Sequence, residues 1–331
     1  MHPYTEKFYK DQKEGSRRSA KEIIPLVLEL IQPQHVIDVG CGAGTWLSVF
    51  KECGVEDIWG VDGAYVDKKI LEIPEERFFS FDLKNPLRMD GQFDLVVSLE
   101  VAEHLPSECA GIFVDSLISL GPVILFSAAI PFQRGAGHIN EQWPDYWVQF
   151  FQKKGYVVID CIRKKIWQND NVEWWYAQNI LLFVRRDYLA SHPLLQREFE
   201  NTAISQLSIV HPRKYLDVIR LHLTTQDIAA LIPSGDTFIL VDQEQFRSEV
   251  AAGRHVIPFL ERDGHYWGPP PDDITAVREL ERLRCSGAHF IVFGWPAFWW
   301  LDYYSELHRY LRSEFCCVLH NNRLVVFDLR R

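Results

Sequence analysis

His35-Val-Ile-Asp-Val-Gly-Cys-Gly-Ala-Gly44, HVIDVGCGAG in one-letter code, sets a short apolar run directly against three glycines. The run reads as a buried strand, the glycines as a tight turn, and the following TWLSVFKEC (45–53) as a helix. Gly40, Gly42 and Gly44 let a ligand approach the backbone closely, and the helix behind them offers its amide-rich end. A dinucleotide-binding turn uses the same geometry to hold pyrophosphate. Here Asp38 stands immediately ahead of the glycines, a poor neighbour for phosphate and a good one for a cationic amino group.

Working outward, IIPLVLELI (23–31) has helical apolar spacing before Pro33. After the glycine turn, DIWGVD, FFSFDL, FDLVVSL, PVILFSAAI and YVVIDCI read as short strands, with helices near 106–119 and 143–154. AQNILLFVRR is a further strand, a candidate for the antiparallel edge. Alternation of this kind predicts a largely parallel sheet covered by helices on both faces. The pattern weakens from Asp187 and resumes with DTFILVDQ (236–243), HVIPFL, a helix over 272–287, HFIVFGWP, WWLDYYSELHRYLRSEF and a closing hairpin that turns at Asn321-Asn322. The expected organisation is an N-terminal arm or lid (1–20), a main α/β domain (21–188), a connector (189–235) and a smaller accessory α/β domain (236–331).

Lys and Arg number 35 against 45 Asp and Glu, a formal charge of -10, which argues against a long basic footprint on nucleic acid. No apolar stretch approaches the ~18 residues of a membrane span, and the first residues lack a signal-peptide core. Seven cysteines without a CxxC pair suit a reducing compartment. The expected location is the cytoplasm.

Two further acids follow strands: Asp62 in VDG, placed to accept both ribose hydroxyls, and Asp82 in FDL, placed to meet an adenine amine. The ordered set VIDVGCGAG, VDG and FDL resembles the class I S-adenosylmethionine-dependent methyltransferases. The resemblance covers about residues 20–186 and implies a Rossmann-like methyltransferase sheet with S-adenosylmethionine as cofactor. It implies cofactor contacts at Asp38, Gly40, Cys41, Gly42, Gly44, Asp62, Asp82 and Leu83. The N-terminal arm lies outside the resemblance and either folds over the cofactor, with Tyr9 and Gln12 as contact candidates, or remains a frayed arm.

Ser98-Leu-Glu-Val-Ala-Glu-His-Leu-Pro106 adds a second constellation. Glu100, Glu103 and His104 have i,i+3 and i,i+4 spacing and stand after a central strand, the edge where open α/β sheets bind ligands. Two neighbouring carboxylates repel unless protonated or bridged by a cation. His138 lies in the Gly-rich loop PFQRGAGHINEQWPDYW that follows the next strand. ExxEH with a later histidine resembles the metal site of the small-RNA 2'-O-methyltransferases, and ExxEH alone also resembles ubiquinone-pathway O-methyltransferases. Carried over, Glu100, Glu103, His104 and His138 are ligands of Mg²⁺ or another divalent cation. The alternative is rim duty for Glu100 and metal-free acid/base or substrate contact for the two histidines; the catalytic candidates are His104, His138 and Glu103.

Trp143, Tyr146, Trp147, Phe150 and Phe151 follow helical spacing and suggest packing against the sheet. EWWY, inside a polar frame of amides and acids, suggests an acceptor cleft, giving Glu141, Trp143, Trp174, Trp175 and Tyr176 as substrate-binding candidates. Aromatic faces beside amides suit a pyranose and equally a terminal nucleotide; the negative charge favours the sugar. Segments around 131–147 and 172–183 also resemble glycan-assembly methyltransferases. The leading expectation is metal-assisted O-methylation of a sugar hydroxyl on a glycan or glycan precursor, with an RNA 2'-O-methyltransferase or a metal-independent small-molecule O-methyltransferase as alternatives. The second domain shows no catalytic set; substrate positioning or contact with a glycan-pathway protein is its expected duty.

Overall fold

The computed structural model describes residues 6–246, 250, 251 and 253–330, with side chains along the first helix described from residue 14 onward. The chain divides into two compact units, 1–214 and 215–331. The first begins with helix α1 (Glu6–Ile31), which runs without a break across the expected arm boundary at residue 20. Lys, Glu, Arg and Ala favour helix throughout this polar stretch. Its 16–19 segment is pinned on two sides: Arg17 donates to Ser48 Oγ (2.9 Å) and Glu72 Oε2 (3.0 Å), while Ser19 Oγ accepts the N–H of Glu173 (3.0 Å). Side chains of Tyr9 and Gln12 lie outside the described residues.

The sheet is built from β1 (His35–Val39), β2 (Asp57–Asp62), β3 (Phe78–Ser80), β4 (Leu95–Leu99), β5 (Val123–Ser127), β6 (Tyr156–Ile159) and β7 (Leu181–Arg185). Their spatial order is β3-β2-β1-β4-β5-β7-β6. The first five run parallel, and β7 enters antiparallel to both β5 and β6. Strand β7 is therefore interior and β6 takes the edge, against the expectation for AQNILLFVRR. Tyr156–Ile159 of β6 and Leu181–Val184 of β7 are alike apolar and buried, so hydrophobic pattern alone does not rank them. Strand β3 stops at Ser80 because Asp82 turns the chain, accepting the Lys84 N–H at 3.1 Å.

Helices α2 (Thr45–Glu52), α3 (Ala110–Leu120), α4 (Pro144–Lys153), α5 (Arg163–Ile166), α6 (Trp174–Asn179), α7 (Arg186–Ala190) and α8 (Pro193–Glu200) complete the first unit; α9 (Pro212–Leu231) begins in it. One face of the sheet is covered by residues of α1, α2 and α6 and the other by α3 and α4, giving two separate cores. Phe151 stacks on Phe183 at 3.9 Å, and Trp147 packs against Phe126, so the aromatic spacing of α4 serves packing. The chain reverses winding between β1 and β4, which opens the ligand crevice at their carboxyl ends.

The second unit is a five-stranded sheet of order β13-β14-β12-β8-β9, from β8 (Thr237–Val241), β9 (His255–Pro258), β12 (Phe290–Gly294), β13 (Cys316–His320) and β14 (Leu324–Asp328). Its helices are α10 (Asp273–Cys285), α11 (Trp299–Tyr303) and α12 (Ser305–Glu314). The β13–β14 hairpin turns at Asn321, as expected. The segment between β9 and α10 holds a small hairpin of β10 (Glu261–Arg262) and β11 (His265–Tyr266). Asp263 and Gly264 both take positive φ there, the demand of a tight hairpin turn that Asp-Gly meets. No helix among the described residues is long and apolar enough to cross a membrane.

Candidate functional site

The glycine turn has the geometry its composition suggests. Gly40 sits at φ 90° and a Cβ there would meet Val101 Cγ2 at 2.3 Å, so the turn tolerates no side chain. Asp38 is buried beneath it; burial, and next the charge of Asp62, push its carboxyl well above the usual range. Such a group is poised for a cationic partner. Asp62 accepts the N–H of Gly42 (2.7 Å) and of Gly63 (2.6 Å), and the Tyr65 hydroxyl also donates to it. Cys41 packs its sulfur toward Gly60, and burial followed by Asp38 raises its thiol. Leu83 is buried, and Asp82 is exposed at its turn.

At the end of β4 the chain enters an uncommon conformation, with Glu100 at φ 57°. Its N–H is fixed by Ser127, at 3.0 Å from both the carbonyl and the hydroxyl. A short turn, Ala102–His104, then carries Glu103 and His104. Glu103 is 0% exposed, and neither carboxylate oxygen has a hydrogen-bond partner among the described residues. Burial, then the neighbouring Glu100, push its carboxyl well above the usual range. An orphaned buried carboxylate is costly and points to a missing counter-charge.

Loop 131–142 brings His138 to this turn. The Glu103 carbonyl accepts the N–H groups of Ile139 (2.9 Å) and Asn140 (3.0 Å), and the His104 and His138 rings stand edge to face at 4.9 Å. Donor atoms of Glu103, His104 and His138 all lie within 4.8 Å of one another. Metal–ligand bonds of roughly 2.0–2.2 Å allow donors up to about 4.4 Å apart, so a small inward movement closes the set. Carboxylate and imidazole donors suit a divalent transition ion or, less purely, Mg²⁺. Burial, then His138, lower the affinity of His104 for a proton, which keeps it available as a ligand. His138 Nδ1 is engaged by Glu141 Oε1 at 2.8 Å, so Nε2 is the ring nitrogen outside that contact.

Glu100 stands outside that group. Asn179 Nδ2 donates to its Oε1 (3.0 Å) and Gln133 Nε2 to its Oε2 (2.8 Å). Gln133, Gln178 and Asn179 form a buried amide network that no spacing in the sequence announces; AQN, which reads as the start of a strand, ends helix α6 instead.

A methyltransferase-domain family model matches residues 12–179. The chain belongs to that family. It is an S-adenosylmethionine-dependent methyltransferase of the class I, Rossmann-like kind. Among solved structures, the methyltransferase is similar to DesVI of Streptomyces venezuelae (15% identity, 54% of this chain and 95% of that one, TM-score 0.42). It is also similar to the methyltransferase domain of bacterial CtHen1 (21%, 51% and 97%, 0.39). A third likeness is to magnesium protoporphyrin IX methyltransferase of Synechocystis PCC 6803 with bound SAH (18%, 54% and 87%, 0.39). No curated protein matches.

The methyltransferase's aromatic candidates divide. Tyr176 is buried in the core, its hydroxyl 3.2 Å from Ser16 Oγ and its ring against Trp46, instead of facing a cleft. Trp175 packs against the same core. Trp143 is 40% exposed at the start of α4. Trp174 lines a cleft of about 260 Å³ with Trp167, His211 and Arg213, and a larger one of about 910 Å³ continues from Trp167 along 160–169 and 203–209. Neither cleft is lined by the glycine turn or by Glu103, His104 or His138.

Proposed function

We propose that this methyltransferase transfers a methyl group to a sugar hydroxyl of a glycan or glycan precursor with the help of a divalent cation held by Glu103, His104 and His138. The observation that carries the cation is the buried Glu103 carboxylate, without a hydrogen-bond partner among the described residues and grouped with two imidazoles. When bound, a divalent cation supplies a Lewis acid that lowers the pKa of an acceptor hydroxyl and fixes its direction. The residues do the rest. Asp38 meets the ammonium of the cofactor, Asp62 the ribose, Asp82 and Leu83 the adenine, and His138 Nε2, oriented through Glu141, stands ready for the ion or the hydroxyl proton. Trp143 and Trp174 offer partly exposed aromatic faces for a pyranose. Seven unpaired thiols suit the reducing cytoplasm. In the second unit, Trp299 and Tyr303 are exposed and offer a surface for a protein of the same glycan pathway.

Labelled methyl donor, offered with glycan intermediates and with RNA 3' ends, tests the reading when run before and after chelation and again after Mg²⁺ or Mn²⁺ is restored. Transfer to a glycan that disappears on chelation and returns with the ion is expected. Transfer to RNA ends alone replaces the acceptor, and full activity without an ion removes the cation.

A further inference from the structure

We propose that Gln133 is a positioning residue that holds the His138-bearing loop closed, and that Glu100 is the anchor of that loop and not a fourth ligand of the cation. The cation part rests on the proposed function; the loop part does not.

Gln133 is 6% exposed and its amide orientation is unambiguous. Oε1 accepts from Asn179 Nδ2 (2.9 Å) and Gln178 Nε2 (3.2 Å), and Nε2 donates to Glu100 Oε2. A flipped amide would set NH₂ against two amide donors and a carbonyl against a carboxylate. The Gln133 carbonyl in turn accepts Lys214 Nζ at 2.9 Å. Each Glu100 oxygen thus receives one amide donor, from a different element, which turns the carboxylate toward the loop and α6. That arrangement explains why Glu100 is missing from the group formed by Glu103, His104 and His138.

The residues on either side of Gln133, Phe132 and Arg134, both sit at φ 65°, a region unfavourable for L-residues. Such geometry persists where surrounding contacts over-determine it. Arg134 N–H donates to Glu141 Oε1 (2.6 Å), the oxygen that holds His138. A continuous path therefore runs from Glu100 through Gln133, Arg134 and Glu141 to His138. Removing the Gln133 amide releases the left-handed pair and, with it, the donor that places Glu141.

The test is Gln133→Met in the full chain, read by hydrogen exchange over 131–142, by calorimetric titration of S-adenosylmethionine and by Mn²⁺ titration followed by electron paramagnetic resonance. Exchange in the loop should quicken about tenfold or more, with cofactor affinity unchanged and Mn²⁺ binding weakened about tenfold, the scale of losing support behind a ligand. The double variant with Glu100→Gln should bind Mn²⁺ no worse than the weaker single variant, since both cut one path. Additive losses make Glu100 a ligand in its own right and overturn that half of the proposal. Unchanged exchange in Gln133→Met overturns the other half. If the wild type binds no Mn²⁺, the cation reading fails while the exchange result still decides the role of Gln133. Should Gln133→Met lose the fold, Gln133→Glu, of the same shape but with a carboxylate facing Glu100, must loosen the loop or the proposal falls.

Discussion

Nδ1 of His138 stands 2.8 Å from Oε1 of Glu141, the same oxygen that takes the N–H of Arg134. The carboxyl of Glu141 is raised by burial, yet its net position is below the usual range because His138 and the backbone donors outweigh that effect. An ionised Glu141 is thus available to orient the imidazole across the neutral range. Glu141→Ala should lower methyl transfer about 10–100-fold while leaving S-adenosylmethionine affinity intact. Steady-state kinetics beside calorimetry checks it; a normal rate would free His138 from this dependence.

Gly135→Ala should act on the same ring by another route. A Cβ at residue 135 would lie 2.1 Å from His138 Nε2, so the imidazole must move. The expected loss approaches that of His138→Ala, roughly 10²-fold or more for a positioned acid/base group. Both variants should melt near the wild-type temperature, and an active Gly135→Ala enzyme would show that the ring position does not matter.

Asp62 is already carrying three donors, and the phenol of Tyr65 is the one a ribose hydroxyl can replace. Asp62→Ala should weaken S-adenosylmethionine binding about tenfold or more, since hydrogen bonds to a charged group are worth about 1.5–3 kcal/mol. Tyr65→Phe should leave binding unchanged or tighter. Weaker binding in Tyr65→Phe, measured by calorimetry, would make the phenol a cofactor contact instead of a placeholder.

Asp38 sets a pH-dependent expectation. Its folded pKa is raised by burial and then by Asp62, so its contribution to stability is full below the ordinary aspartate value near 3.9 and is lost as pH rises through the folded value. Asp38→Asn removes that loss. Thermal unfolding of the cofactor-free protein should show a higher Tm for the variant at about pH 7.5, with the difference closing toward about pH 4. Cofactor binding should weaken in the same variant. A Tm gain independent of pH would assign the effect to packing.

Much of the first unit could be read from its apolar runs, because the central parallel strands β1, β4 and β5 are buried on both faces and leave an unbroken signature. The glycine turn and Asp62 were legible for another reason: their residue types answer a local backbone demand, positive φ at the glycines and the N–H groups of Gly42 and Gly63 at the carboxylate. What escaped was non-local. Gln133, Gln178 and Asn179 are ordinary amides whose meaning arises only when β7 enters between β5 and β6 and carries the end of α6 to Glu100. Tyr176 shows the reverse case, a residue with polar neighbours in sequence that tertiary packing draws inward. Arg17 and Glu72 were equally silent, since their pairing joins helix α1 to the segment after β2 across 55 positions.

Glu103 holds loop 131–142 with its main chain and presents its carboxylate with its side chain. The carbonyl receives Ile139 and Asn140, and the side chain points into the group with His104 and His138. Under the proposed function one residue therefore belongs to two equilibria, ordering of the loop and capture of an ion, and these are thermodynamically linked. Whatever factor the ion adds to the affinity for an acceptor that closes the loop, that acceptor must add to the affinity for the ion. An ion that binds weakly to the free protein would then be retained during turnover and released with product, making cation occupancy a report on where the enzyme stands in its cycle.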